Sequence, residues 1–324
     1  MTVPAELLPE LVASVLANPG LRAKAEIGLV GEVIGGTDWL GGPGDDGAVV
    51  RAGGVDVVAC GEALFPPFVA ADPHGAGFAA VLTNVNDLAA MGAEPLGIVD
   101  TVIGGVELAR AALAGMREAS RLYDVPIVGG HLTIHDGPPS ISAFGVGHAP
   151  APLSVTRSAP GQSLVVAAAL DGVMRPDFPF FPAFGSRGER CAGDVRLLAD
   201  LAAAGTCVAA KDISMAGLVG SLAMLLEHGG LGVTVDLDAL PAPAGVPLTA
   251  WLNCFPSFGF LLCVPPGRED ECVAAFAARE LAAAVVGELD AAGELALRAG
   301  GERAVVLRLD EFRVTGLPTG APPP

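Results

Sequence analysis

The stretch from Asp72 to Asp100, DPHGAGFAAVLTNVNDLAAMGAEPLGIVD, constrains the fold more than any other part of the chain. Asp72 reads as an N-cap with Pro73 at the first helical position. Phe78, Val81, Leu82, Val85, Leu88 and Ala89 then recur at helical spacing as far as Gly92. A strand over 96–103, an amphipathic helix over 106–123 and strands over 127–130 and 140–146 are expected to follow. Inside the apolar helix stand Asn84, Asn86 and Asp87. Asn84 and Asp87, three apart, project from one face and are costly there unless they bind something. The competing reading puts Asn86 and Asp87 on a solvated face.

The 324 residues are about two domains' worth of chain. The run from His148 to Leu153, HAPAPL, is the natural boundary, giving domains 1–150 and 151–324. Short strands are expected at 48–51 and 55–60. The second half predicts strands at 164–169, 231–236, 258–264 and 304–309, and helices at 192–204, 215–228 and 269–283. Acidic residues outnumber basic ones 36 to 18, a net charge of −18 that argues against nucleic acid or an anionic membrane as partner. The longest uncharged stretch, 240–267, is broken by six prolines, cannot be a spanning helix and reads as strand and loop. The N-terminus lacks a basic segment leading into an apolar core, and the six cysteines show no metal-binding spacing. A cytoplasmic protein with reduced, buried thiols is expected.

Four motifs carry chemistry. In Gly44-Asp45-Asp46-Gly47 adjacent acids sit among glycines, suited to a hard cation beside a phosphate, although Asp-Gly is also a turn. The second is the Asn84–Asp87 pair. In Val128-Gly129-Gly130-His131-Leu132-Thr133 a strand meets glycines that allow close backbone approach, and His131 is a candidate ligand or a bystander. In Lys211-Asp212-Ile213-Ser214, Ser214 reads as an N-cap, Asp212 as a metal ligand and Lys211 as a point charge on phosphate. An exposed Lys–Asp pair beside a capping residue is the plain alternative. No GxxxxGK[ST], GxSxG or HExxH occurs, and no GxGxxG follows a strand, so any nucleotide is held through carboxylate-bound metal rather than a lysine-headed loop.

These motifs in this order resemble the AIR synthase (PurM-like) superfamily over nearly the whole chain, with NDLAAMGA the most specific match. The group includes thiamine-monophosphate kinase, selenophosphate synthetase and the hydrogenase maturation dehydratase. The resemblance implies an α/β (α+β) fold of two domains: an N-terminal α/β domain that pairs through its sheet in a homodimer, and a C-terminal α+β domain. It also implies ATP bound with Mg2+. Carried over residue by residue, it makes Asp45, Asp46, Asp87 and Asp212 metal- and phosphate-binding acids. Asn84, Gly44, Gly130, His131 and Ser214 fall in the nucleotide site, Lys211 beside the phosphates and Asp100 near the substrate.

The chain departs from the kinase pattern. Ala59-Cys60-Gly61-Glu62 stands where kinases carry Thr-Thr-Asp, so Glu62 is the candidate replacement metal ligand. His131 replaces an aspartate, and the residues over 34–44 hold neither the Cys nor the Lys that selenophosphate synthetases need. The resemblance is therefore to the AIR synthase-related branch. The expected activity is ATP- and Mg2+-dependent phosphoryl transfer to an amide, carbonyl or phosphate oxygen of a small metabolite. The alternative is a non-catalytic nucleotide-binding or scaffold subunit. The loop over 171–190, with Arg175, Arg187, Arg190 and four phenylalanines, either closes over substrate, Arg175 meeting an anionic group, or is a surface excursion whose phenylalanines pack on the core.

Overall fold

The computed structural model describes residues 2–35 and 44–317; most of the glycine-rich loop and the proline-rich end lie outside the described residues. Two compact units divide the chain: Met1–Asp45, Leu153–Ser186 and Leu201–Pro324 form the first, Asp46–Pro152 and Arg187–Asp200 the second. The first opens with α1 (Leu8–Leu16), α2 (Pro19–Ala23) and α3 (Gly28–Ile34).

The second unit follows as β1 (Ala48–Ala52), β2 (Val55–Ala63), α4 (Pro66–Ala71), α5 (Pro73–Ala90), β3 (Glu94–Gly104), α6 (Val106–Tyr123), β4 (Ile127–Ile134) and β5 (Ser140–His148). Its sheet runs β1-β2-β5-β3-β4, with β3 and β4 parallel and the other neighbours antiparallel. The α5 boundaries have the chemistry the sequence indicates. Asp72 Oδ1 accepts from the Gly75 amide at 2.8 Å, and Gly92, at φ +67°, turns the chain out of the helix. The two long helices meet at glycines. A Cβ on Gly77 would lie 2.0 Å from the Ala112 carbonyl oxygen, and one on Gly115 2.0 Å from that of His74.

The first unit resumes with β6 (Ser163–Ala168), β7 (Phe180–Phe181) and α7 (Phe184–Arg187). Most of α8 (Arg190–Ala203) belongs to the second unit, and the first continues with β8 (Ala209–Asp212), α9 (Gly217–Glu227), β9 (Gly232–Asp236), α10 (Leu248–Asn253) and β10 (Phe255–Pro256). It ends on β11 (Gly259–Val264), α11 (Glu269–Ala277), β12 (Ala282–Asp290), β13 (Glu294–Ala299) and β14 (Glu302–Arg308). Seven strands order as β14-β13-β9-β12-β6-β11-β8, with β7 and β10 paired separately. Both β6 and β11 are buried along their whole length, as is α9, so these elements form the core of this unit.

Two sequence expectations are corrected and one open alternative is decided. The helix expected over 269–283 ends at Ala277, and the alanine run from Ala282 enters β12, where pairing with β6 overrides the helical preference of alanine. The uncharged stretch 240–267 contains α10 besides strand and loop. In the segment 171–190, Phe180, Phe181 and Phe184 take the packed alternative. Phe181 is fully buried edge-on to Trp251, Phe180 packs against Phe184 and Phe255, and β7 pairs with β10.

Candidate functional site

The helix-facing side of the second unit's sheet gathers the acids. α5 lies over β2 and β5, with Gly145 leaving room for Cys60, Asn84 and Leu88. Asp87 is 7% exposed and Asn84 and Asn86 are fully buried, which removes the solvated-face reading. Asp46 enters the sheet just before β1, and carboxylate oxygens of Asp46 and Asp87 lie within 4.8 Å of each other. Two like charges that close, one of them buried, are unfavourable together until a cation stands between them.

Cys60 registers this field. Burial pushes its thiol well above the ordinary range, and the Asp87, Glu62 and Asp46 carboxylates push in the same direction. Its Sγ lies 3.3 Å from Asn84 Oδ1, while the Asn84 amide donates to the Ala80 and Ala143 carbonyls at 2.8 and 3.1 Å. Asn84 therefore spends its side chain on the scaffold. Nothing in the sequence pattern marked Cys60 as its partner.

Strand register sets the other acids in one row. Glu62 faces Ala143, Ala143 faces Asp100, and Asp100 faces Gly130. Partners in register share a face, so Glu62 and Asp100 stand on the α5 side, roughly 10 Å apart at two strand spacings. Glu62 is exposed and does not belong to the converging pair among the described residues. Asp100 is 6% exposed, and burial raises its carboxyl above the usual carboxylate range. Gly130 makes space for it, because a Cβ there would lie 2.7 Å from Asp100 Oδ2. His131 is in register with Thr101 and so stands on the opposite, open face.

In the first unit, Gly44 has φ +101°, and Asp45 is turned onto the scaffold. Its Oδ2 accepts from Ser154 Oγ at 2.6 Å and from the Val155 amide at 3.2 Å, a pairing that no motif announced. Lys211 and Asp212 lie in β8, only 2% and 5% exposed, so they are not an exposed surface pair. Ser214 is not the N-cap. α9 starts at Gly217, whose φ of +69° turns the chain, and the Gly217 amide closes that turn onto the Ser214 carbonyl at 2.9 Å. The Ser214 amide donates to Ser221 Oγ at 3.1 Å. Arg175 holds Asp177 through two hydrogen bonds of 3.0 and 2.7 Å, and Arg187 is buried against Asp194 rather than presented to a ligand.

A sheet roofed by α5 with paired acids, followed by a second αβ unit, defines a two-domain protein of the PurM-like class. The AIR synthase related protein N-terminal domain matches residues 44–149 and its C-terminal domain residues 188–300, and the chain belongs to this family. It is similar to the uncharacterized protein sll0787 of Synechocystis sp., at 34% identity over 84% of this chain and 86% of that protein. It is also similar to thiamine-monophosphate kinase of Rhodopirellula baltica, at 32% identity over 51% of this chain and 50% of that protein. Among solved structures it resembles Thermotoga maritima PurL complexed with ATP, at TM-score 0.70 and 18% identity over 84% of this chain. The chain spans about half the length of that PurL, 47% of it, and the likeness is one of fold.

Proposed function

We propose that this protein binds ATP with Mg2+ and transfers a phosphoryl group to an oxygen of a small metabolite. The observation that carries the reading is the convergence of Asp46 and Asp87 within 4.8 Å, with Asp87 buried. An all-carboxylate donor set suits a hard, oxygen-seeking cation, so the residues fit Mg2+. When bound, the metal supplies charge neutralisation between these acids and a polyphosphate of like sign. By the motif it occupies, Asp212 is the further carboxylate we assign to that ligand, and Lys211 the cation beside it. Asp100, its carboxyl raised by burial, is assigned to the acceptor end of the row. The relatives support ATP: one is named a kinase, and a PurL of the same fold is complexed with ATP.

We also assign the open face of the second unit's sheet to a homodimer. Val99 and Phe144 face each other in register on it, and Val50 and Ile103 are exposed on the same face, an apolar surface suited to a second copy. Light scattering tests this, and a monomer at micromolar concentration sinks it.

Calorimetry with Mg·ATP tests the site. Asp87→Ala abolishes Mg2+-dependent nucleotide binding; unchanged affinity in that variant overturns the assignment. A second reading, a nucleotide-binding scaffold subunit without turnover, draws on Glu62 standing outside the converging pair. ADP release on incubation with Mg·ATP and candidate acceptors separates the two.

A further inference from the structure

The last described residues form a strap whose anchor is a buried acid that the proposed reaction does not use. Glu227 ends α9 and is 4% exposed. A carboxylate is disfavoured at a helix C-terminus, and a buried one needs donors. Among the described residues its donors come from the C-terminal segment. The Val314 and Thr315 amides donate to Glu227 Oε2 at 2.8 and 3.4 Å, and the Thr315 hydroxyl donates to Oε1. Val314 and Thr315 are fully buried. The Thr315 hydroxyl also accepts from the Leu317 amide at 3.3 Å, and the Leu317 carbonyl accepts from Arg313 Nη1 at 3.2 Å. One hydroxyl thus fixes the anchor and the end of the strap together.

The strap leads to the residues that open the candidate site. Gly316, at φ +64°, runs against the first residue of α3, so that a Cβ on Gly28 would sit 3.0 Å from the Gly316 carbonyl oxygen. Leu317 Cδ1 lies 3.2 Å from where a Cβ on Gly44 would be. Gly44 precedes Asp45, which Ser154 and Val155 hold in place, and Asp46 departs from the next peptide.

We propose that Glu227 and Thr315 are positioning residues that lock the segment Val314–Leu317 against Gly28 and Gly44 and thereby set the backbone from which Asp46 reaches the metal. The inference rests on the metal reading of Asp46 and Asp87 but is separable from it.

The test uses the full chain, with Mn2+ as an EPR-visible probe for Mg2+. Thr315→Val keeps the shape and removes the hydroxyl, and Leu317→Ala removes the contact with Gly44 while leaving the anchor. Each is expected to weaken Mn2+ binding about tenfold, the scale on which supporting residues act on metal sites. Thr315→Ser is expected to restore binding. Val233→Ala, a core truncation in β9 that also lowers stability, is expected to leave it unchanged. Hydrogen exchange of residues 44–52 is expected to quicken in Thr315→Val. Wild-type Mn2+ affinity in both Thr315→Val and Leu317→Ala overturns the proposal. If the wild-type chain binds no Mn2+, the reading of Asp46 and Asp87 fails, and unchanged exchange at 44–52 in Thr315→Val then overturns the strap as well.

Discussion

The Asn84 side-chain amide donates to the Ala143 carbonyl at 3.1 Å, stitching the helix that carries Asp87 to the strand between β2 and β3. The same amide reaches Ala80, and Cys60 Sγ lies 3.3 Å from its oxygen, all in a fully buried setting. Truncation leaves buried groups without their partner, which costs about 1–3 kcal/mol. Asn84→Ala is therefore expected to lower the urea midpoint by an amount of that order. Asn84→Asp is expected to lower it further, since a carboxylate faces two carbonyls and offers no donor. An unchanged midpoint in both variants contradicts the stitching role.

Opposite signs in the absence and presence of ligand are expected at Asp87. The Asp46 and Asp87 oxygens lie within 4.8 Å, where two charges repel by about 1 kcal/mol in water and about 4 kcal/mol at an effective dielectric of 20. Asp87→Asn is expected to raise the melting temperature of the EDTA-treated protein. Added Mg2+ and ATP are expected to stabilise the wild-type chain by linkage and to leave the variant unmoved. A thermal melt of each, with and without Mg·ATP, reads both signs.

Sequence and structure agree best where one local rule acts alone. The α5 start at Asp72-Pro73 and its exit at Gly92 were legible because capping and left-handed glycine geometry are local. Asp87 stood out because a carboxylate inside an apolar helix is costly without a partner, whereas Asp46 among glycines read equally as a turn. Three features were not legible. Asp45 and Asp46 are neighbours with the same side chain, and only the fold turns one onto Ser154 and the other toward Asp87. The facing of His131, away from Asp100, depends on strand register, which a single strand does not encode. Ser214 has the residue type of an N-cap, but the left-handed Gly217 delays the helix past it.

Arg187 forms a buried pair with Asp194, each side chain 2% exposed and Nε and Nη2 both 2.8 Å from Oδ2. Removing one partner of a buried ion pair costs about 3–5 kcal/mol. Arg187→Met is expected to lower stability by that order in urea unfolding. The double variant Arg187→Met, Asp194→Leu is expected to recover most of it, because a buried ion pair is often replaceable by apolar packing. If the double variant is no more stable than Arg187→Met, the pair is not the source of the loss.

The buried thiols make stability fall in mild alkali. Burial pushes Cys254, Cys263 and Cys272 up to about 12, from an ordinary value of 9.0. Between those two values the unfolded chain has released protons that the native chain still holds. The native state then binds more protons, so stability decreases as pH rises, by about 1.4 kcal/mol per pH unit for each thiol. Below 9.0 both states keep the proton and these groups contribute no slope. The urea midpoint is therefore expected to be level from about pH 7 to 8.5 and to drop steeply by about pH 10, with the native thiols resisting Ellman's reagent until unfolding. A midpoint that stays level to about pH 10.5, or rapid labelling of the folded protein at about pH 8, shows that these cysteines are not buried as protonated thiols.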